Sequence, residues 1–177
     1  MIDFRNDYAQ GAHEQVLGAL AGLAGQGFSG YGEDDLCRAA QERVRRLTGQ
    51  PGAALYFLSG GTQANLTVIA SIRRPHQGAV AADTAHIAAH ETGAIEATGH
   101  KVLTLPHRDG KVNPDDIERM VAAHYADDSF EHTVQPGMVY ISNTTELGSI
   151  YTARELEGIS RVCRSRGLPL YLDGARL

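Results

Sequence analysis

Four short segments carry residue types that could do chemistry together. Ser59-Gly60-Gly61-Thr62-Gln63-Ala64-Asn65 joins an apolar run to a helical pattern through two glycines. Glycines let the backbone approach a bound group closely. Free N–H groups and the dipole of the following helix then favour a phosphate, with the Thr62 hydroxyl as a further donor. An ordinary strand-to-helix turn capped by Thr62 has the same composition. Leu172-Asp173-Gly174-Ala175-Arg176 delivers a carboxylate at the end of an apolar strand, with an arginine three residues on. A carboxylate kept ionised there can hold a proton on a ring nitrogen. The arginine suits a bidentate grip on a carboxylate. Asp83-Thr84-Ala85-His86 ends another strand, and its flat imidazole could stack on an aromatic ring. His86, His90 and Glu91 also admit a metal reading, but the HExxH order is absent. Asn143-Thr144-Thr145-Glu146-Leu147-Gly148 is a polar loop after a strong strand, the kind of segment that lines sites. A fifth segment, Gly30-Tyr31-Gly32, sets a tyrosine between glycines, from where it could reach a site.

These segments need elements to position them. Strand and helix patterns alternate. Helices are expected over 12–25, over 34–48 with Leu36, Ala39, Ala40, Val44 and Leu47 on one face, and over 62–72. Further helices are expected over 88–98, from Asn113 to Tyr125, and over 153–166. Asn113-Pro114-Asp115-Asp116 is a strong helix start, with a capping side chain, proline at the first position and acids in the first turn. Buried strands are expected at 53–58, 79–82, 102–105, 138–142 and 169–172. Short apolar strands separated by helices predict an α/β fold, a mostly parallel sheet flanked by helices. In such sheets ligands bind beyond the carboxyl ends of the strands, where the chemical segments fall.

Composition excludes several classes. The 177 residues, 42% hydrophobic and 21% charged, suit one globular domain with a real core. A net charge of -5 gives no basic patch for nucleic acid. Cys37 and Cys163 are far apart, which excludes a disulfide-dense scaffold and fits a reducing cytoplasm. No apolar run approaches the roughly 20 residues of a membrane span. The charged start Met1-Ile2-Asp3-Phe4-Arg5-Asn6-Asp7 has no signal-peptide stretch.

In this order, the segments resemble the threonine aldolase and aromatic beta-eliminating lyase group of fold-type-I pyridoxal phosphate (PLP) enzymes. The matching pieces are residues 1–7, Tyr31-Gly32-Glu33-Asp34, Gly60-Gly61-Thr62-Gln63-Ala64-Asn65-Leu66, Ala85-His86 with Glu91, and Leu172-Asp173-Gly174-Ala175-Arg176. The resemblance implies the large domain of an aspartate aminotransferase-like transferase fold over 31–177, preceded by an N-terminal segment at 1–30. It implies PLP as cofactor, with Gly61 and Thr62 on its phosphate, His86 stacked on its ring and Asp173 on the ring nitrogen. Arg176 would contact the ring or the substrate carboxylate. His86, Asp173 and Arg176 are thereby the catalytic candidates. The implied activity is cleavage of a 3-hydroxy amino acid such as threonine to glycine and an aldehyde, by a homodimer or homotetramer.

Two departures bear on this. The fourth loop reads Asn143-Thr144-Thr145-Glu146 where many relatives have Asn-Thr-His, and Asn6-Asp7-Tyr8 stands where many aldolases have Ser-Asp-Thr. Both point to a side branch, with beta-elimination on another amino acid as the alternative activity. The second departure is lysine. Such enzymes form a Schiff base with a lysine, and the two lysines here, Lys101 and Lys111, do not follow a strand at the right edge. In the family that lysine comes after the Asp-Gly-Ala-Arg motif, so a fragment without it is expected, inactive by itself. A non-catalytic subunit of the same fold is the other expectation.

Overall fold

Four parallel strands in the order β2-β1-β3-β4 form the sheet of this computed structural model. It describes residues 9–72 and 74–176. The stretch 1–7 that contributes to the resemblance, and Tyr8 with it, lie outside the described residues. The chain divides into two compact units, Met1–Phe57 and Leu58–Leu177.

The second unit holds the sheet: α3 (Gly61–Ile72), β1 (Gln77–Ala82), α4 (His86–Ala89), α5 (Ala94–Ala97), β2 (Val102–Leu105), α6 (Pro114–Ala126), β3 (Gln135–Ser142), α7 (Ala153–Ser165) and β4 (Leu170–Asp173). Strands β1 and β3 are buried along almost their whole length, as apolar runs covered on both faces must be. Ala79, Val80, Ala81, Met138, Val139 and Tyr140 have no exposure, and Ile69, Ile95, Ile117 and Ile159 from the flanking helices close the core over them. Each such isoleucine contributes about 2 kcal/mol by burial. Gly78 permits a close backbone approach beside β1, since a Cβ there would sit 2.5 Å from the Lys101 carbonyl oxygen.

Local signals set the helix ends. Asn113 accepts from Asp115 N at 2.9 Å, with Pro114 at the first position of α6. Thr152 and Glu155 form a reciprocal capping box at α7. The helix expected over 88–98 is instead two short helices. Thr92 and Gly93, with φ of 52° and 74°, turn the chain between α4 and α5. Left-handed backbone at successive residues cannot continue a right-handed helix.

The first unit contains α1 (Glu14–Gly22) and α2 (Asp35–Thr48). Asp34 caps α2 by accepting from Cys37 N at 2.9 Å, and Gly49 ends it at a φ of 65°. The expected apolar face of α2 is present, yet no residue of the helix is buried and Leu47 is 79% exposed. The strand expected at 53–58 does not form. Its carbonyls are taken by side chains of α2 instead: Gln41 Nε2 donates to Leu55 O at 3.1 Å and Arg45 Nε to Ala53 O at 2.9 Å. Tyr56 and Phe57 stay exposed. An apolar run becomes a strand only where another strand offers a ladder.

Candidate active site

The topology creates one crevice. From β1 the chain crosses to β2 on one side, then returns to β3 on the other. The switch point therefore lies between β1 and β3, where open parallel sheets bind ligands. In register, Ala82 pairs with Leu105 and Ser142 with Asp173, so the strands end along a common edge. His86 follows β1, Glu146 follows β3 and Asp173 ends β4.

Hydrogen bonds and close contacts tie these positions together. Asp173 Oδ2 accepts from the Tyr140 hydroxyl at 2.6 Å, and Oδ1 from Ala175 N at 3.1 Å. Burial first, then the hydrogen bond to Asp173, pushes the Tyr140 phenol far above its ordinary range, so it stays a donor. Ser142 Oγ lies 3.4 Å from the Tyr140 oxygen and donates to Glu146 Oε1 at 2.6 Å. The same Glu146 oxygen accepts from His86 N at 2.9 Å. The His86 ring then meets Glu91, with Nδ1 2.9 Å from Oε1. Asn65 Nδ2 donates to that oxygen at 2.7 Å, and the Tyr171 hydroxyl donates to Asn65 Oδ1 at 2.8 Å. Tyr171 packs edge-on to Tyr140, with centroids 5.4 Å apart, which closes the loop of contacts. Burial, then the charges of Asp173 and Glu91, push the Tyr171 phenol up to about 12.

Asn65 also places the glycine turn. Thr62 and Gly61 lie one helical turn before it on α3, about 4.5–6 Å along the axis. The first helical bond of α3 is Ala64 N to Gly60 O. The N–H groups of Gly61, Thr62 and Gln63 therefore have no intrahelical acceptor and point out of the helix end. Gln63 Oε1 accepts from both Ser59 N and Ser59 Oγ at 2.8 Å, which fixes the turn. A Cβ at Gly60 or Gly61 would meet nothing within 4 Å. The chain's own packing thus does not call for glycine there, whereas a group seated close against the backbone would.

His86 and Asp173 are brought together by this network, each half-buried, and Gly61 and Thr62 are tethered to it through Asn65. Arg176 lies exposed in the turn after β4. His90 does not join His86 on a common ligand: the rings are 5.6 Å apart and His86 Nδ1 faces Glu91. No cluster of three or more potential metal-ligating side chains occurs among the described residues. Tyr31 is fully exposed at a φ of 62°. Lys111 Nζ binds Glu155 and the Ile150 carbonyl, and Lys101 begins the approach to β2 at the opposite, amino edge of the sheet.

The polar loop after β3 has a larger part than its sequence announced. Asn143 Oδ1 accepts from Tyr151 N at 3.1 Å, and Thr145 Oγ1 and Ser149 Oγ share a 2.8 Å bond, so the loop is braced from within. That bracing aims Glu146 at His86. Tyr140, Ser142 and Tyr171 were not singled out for the site from the sequence, and Asn65 stood only within the glycine segment, with no role of its own. Tyr140 and Tyr171 sit inside apolar strands, and alternation along those strands was the only signal that could have aimed them at one face.

The model of the family described as beta-eliminating lyase matches residues 3–177. A low specificity L-threonine aldolase of Pseudomonas sp. (strain NCIMB 10558) is 35% identical over 148 residues, covering 82% of this chain and 41% of that protein. The low specificity L-threonine aldolase of Pseudomonas aeruginosa is 30% identical over 175 residues, covering 98% and 49%. The solved structure of Leishmania major threonine aldolase superposes with a TM-score of 0.90 at 47% identity, covering 97% of this chain and 49% of that one. A PLP-bound C-S lyase of Staphylococcus hominis shares the fold at a TM-score of 0.66 and 15% identity. The chain spans about half the length of the relatives it matches.

Proposed function

Since the chain belongs to the beta-eliminating lyase family, we propose that it forms the cofactor-binding part of a PLP-dependent lyase of the threonine aldolase type. The reaction is cleavage of a 3-hydroxy amino acid to glycine and an aldehyde. The observation that carries this reading is the Asp173 carboxylate, held at the carboxyl edge by Tyr140 and Ala175, on the same edge where Glu146 holds the backbone of His86.

The residues fit the cofactor. The open N–H groups of Gly61 and Thr62, with the Thr62 hydroxyl, suit a phosphate. Asp173 suits a ring nitrogen, and its hydrogen-bonded carboxylate would keep a proton there. His86 offers a flat ring face beside the switch point. Arg176 suits a substrate carboxylate. When bound, PLP takes up the electron pair left on the substrate when a bond to its α-carbon breaks. The chain's own contribution is to fix the ring's charge through Asp173, orient it through His86 and anchor it at α3. Neither Lys101 nor Lys111 stands in this network, so neither is placed to form the Schiff base. A homo-oligomer acting in the cytoplasm suits the reading; no described helix is long and apolar enough to cross a membrane.

The test uses the full-length protein with PLP and L-threonine. Glycine and acetaldehyde should form in equal amounts, and Asp173→Asn should lower kcat/KM by roughly 100-fold or more, the scale on which positioned charges act. Ammonia and a 2-oxo acid without aldehyde would move the reading to beta-elimination. No PLP binding at all would sink it.

A further inference from the structure

Glu91 is a buried acid near this edge for which the proposed function gives no task. Its side chain is 1% exposed, against 38% for His86. Oε1 takes both of its contacts, His86 Nδ1 at 2.9 Å and Asn65 Nδ2 at 2.7 Å. Oε2 is buried without a hydrogen-bond partner among the described residues. A carboxylate removed from water is costly unless its bonds are used, so a buried one that faces a histidine calls for a reason.

The neighbouring hydrogen bonds orient the groups around Glu91. The Tyr171 hydroxyl donates to Asn65 Oδ1, which turns the Asn65 amide nitrogen toward Glu91. A proton on Oε2 would have no acceptor. Oε1 accepts from Asn65 Nδ2 and lies within hydrogen-bond reach of His86 Nδ1. From this we infer that Glu91 is a positioning residue: it keeps the hydrogen on His86 Nδ1, leaves Nε2 of the neutral ring as the acceptor, and fixes the ring plane. The backbone of the same residue is held separately by Glu146. His86 is thus pinned at two points by two carboxylates, one on the ring and one on the main chain. A carboxylate on one ring nitrogen fixes the tautomer and orientation of a metal-bound histidine in the same way. The catalytic consequence rests on the proposed function, in which the His86 face covers the cofactor ring. The tautomer itself does not.

Nitrogen NMR of the full-length protein, cofactor-free and at pH 8, reads the tautomer directly, with His86→Gln identifying the His86 signals. The expected result is a protonated Nδ1 and an unprotonated Nε2. Glu91→Gln keeps an acceptor oxygen and should keep this tautomer, with kcat within about twofold of the parent. Glu91→Met keeps the volume but removes the acceptor. It should move His86 toward the Nε2–H form and lower kcat roughly tenfold, the low end of such second-sphere losses, with KM changed less than about twofold. A parent protein with hydrogen on Nε2, or Glu91→Met with an unchanged tautomer, overturns the inference. So does Glu91→Gln falling as far as Glu91→Met, because charge rather than the acceptor would then be acting. Should Glu91→Met fail to fold, the parent tautomer and the Glu91→Gln variant still decide. The tautomer is read without PLP, so its failure is separable from a missing aldolase activity.

Discussion

Asp173 shows how a single side chain is prepared by its neighbours. It ends an edge strand and is half-buried, and its two oxygens receive different donors: a phenol on one and a backbone N–H on the other. Tyr140 supplies the first from the middle of the buried β3. Removing that hydroxyl leaves the carboxylate short of a donor in a place where water reaches it only in part. Tyr140→Phe should therefore destabilise the fold by about 1.5 kcal/mol, the usual scale for a hydrogen bond to a charged group. The check is a urea titration in which the midpoint falls and the slope stays constant. An unchanged midpoint would mean that the hydroxyl contributes nothing to stability.

At the scale of elements, the loops after the strands decide whether the site forms. Gly110, in the turn after β2, has a φ of 78°, and a Cβ there would lie 2.7 Å from Thr145 Oγ1. Thr145 is buried in the loop that carries Glu146. Gly110→Ala should cost about 2 kcal/mol or more from left-handed strain and the contact together. It should also lower activity by displacing that loop, and melting curves alongside kinetics would show both. Helix α7 offers a pH signature. Glu155 is held at about 2, chiefly by its bonds with Thr152 and then by Lys111. Its folded value lies below the ordinary 4.5, so its stabilisation is full above about pH 4.5 and is lost as pH falls toward 2. The Glu155 side chain is 42% exposed, which leaves about 1 kcal/mol after solvent screening. Glu155→Gln should be less stable than the parent by that amount at pH 7, and the two should converge in acid. A gap that does not change with pH would remove the charge from this account.

At the scale of the whole molecule, alkaline pH tests the core of the second unit. Burial raises the Tyr151 phenol and the Tyr171 phenol, each to about 12. Their folded values exceed the ordinary 10.0, so their contribution is full below about pH 10 and is lost as pH rises toward 12. Stability should fall through that window. Tyr171→Phe should flatten part of the fall, which denaturant titrations at pH 9 to 12 can follow. The two units contrast sharply in burial. The second contains the fully buried residues of β1 and β3, whereas neither α1 nor α2 in the first buries a residue.

What could be read from the residues alone follows from the range of the forces involved. Capping, glycine breaks and apolar runs act within a few residues. Asn113 therefore announced the start of α6, and β1 to β4 were legible as strands, although β4 is only half-buried. Gly61, Thr62, His86 and Asp173 stood out as candidates because each follows a strand or opens a helix. The sequence by itself thus determined the parallel α/β sheet and the order of the chemical segments. It could not determine partners. Asn65 and Tyr171 are 106 residues apart, His86 and Glu146 are 60 apart, and Tyr140 and Asp173 are 33 apart. No spacing rule joins them, because strand order rather than sequence distance makes them neighbours. For the same reason, apolarity at 53–58 and along α2 signalled surface in need of cover without naming a partner. Only the tertiary structure decided that those segments stay exposed, and that a buried glutamate holds the ring of His86.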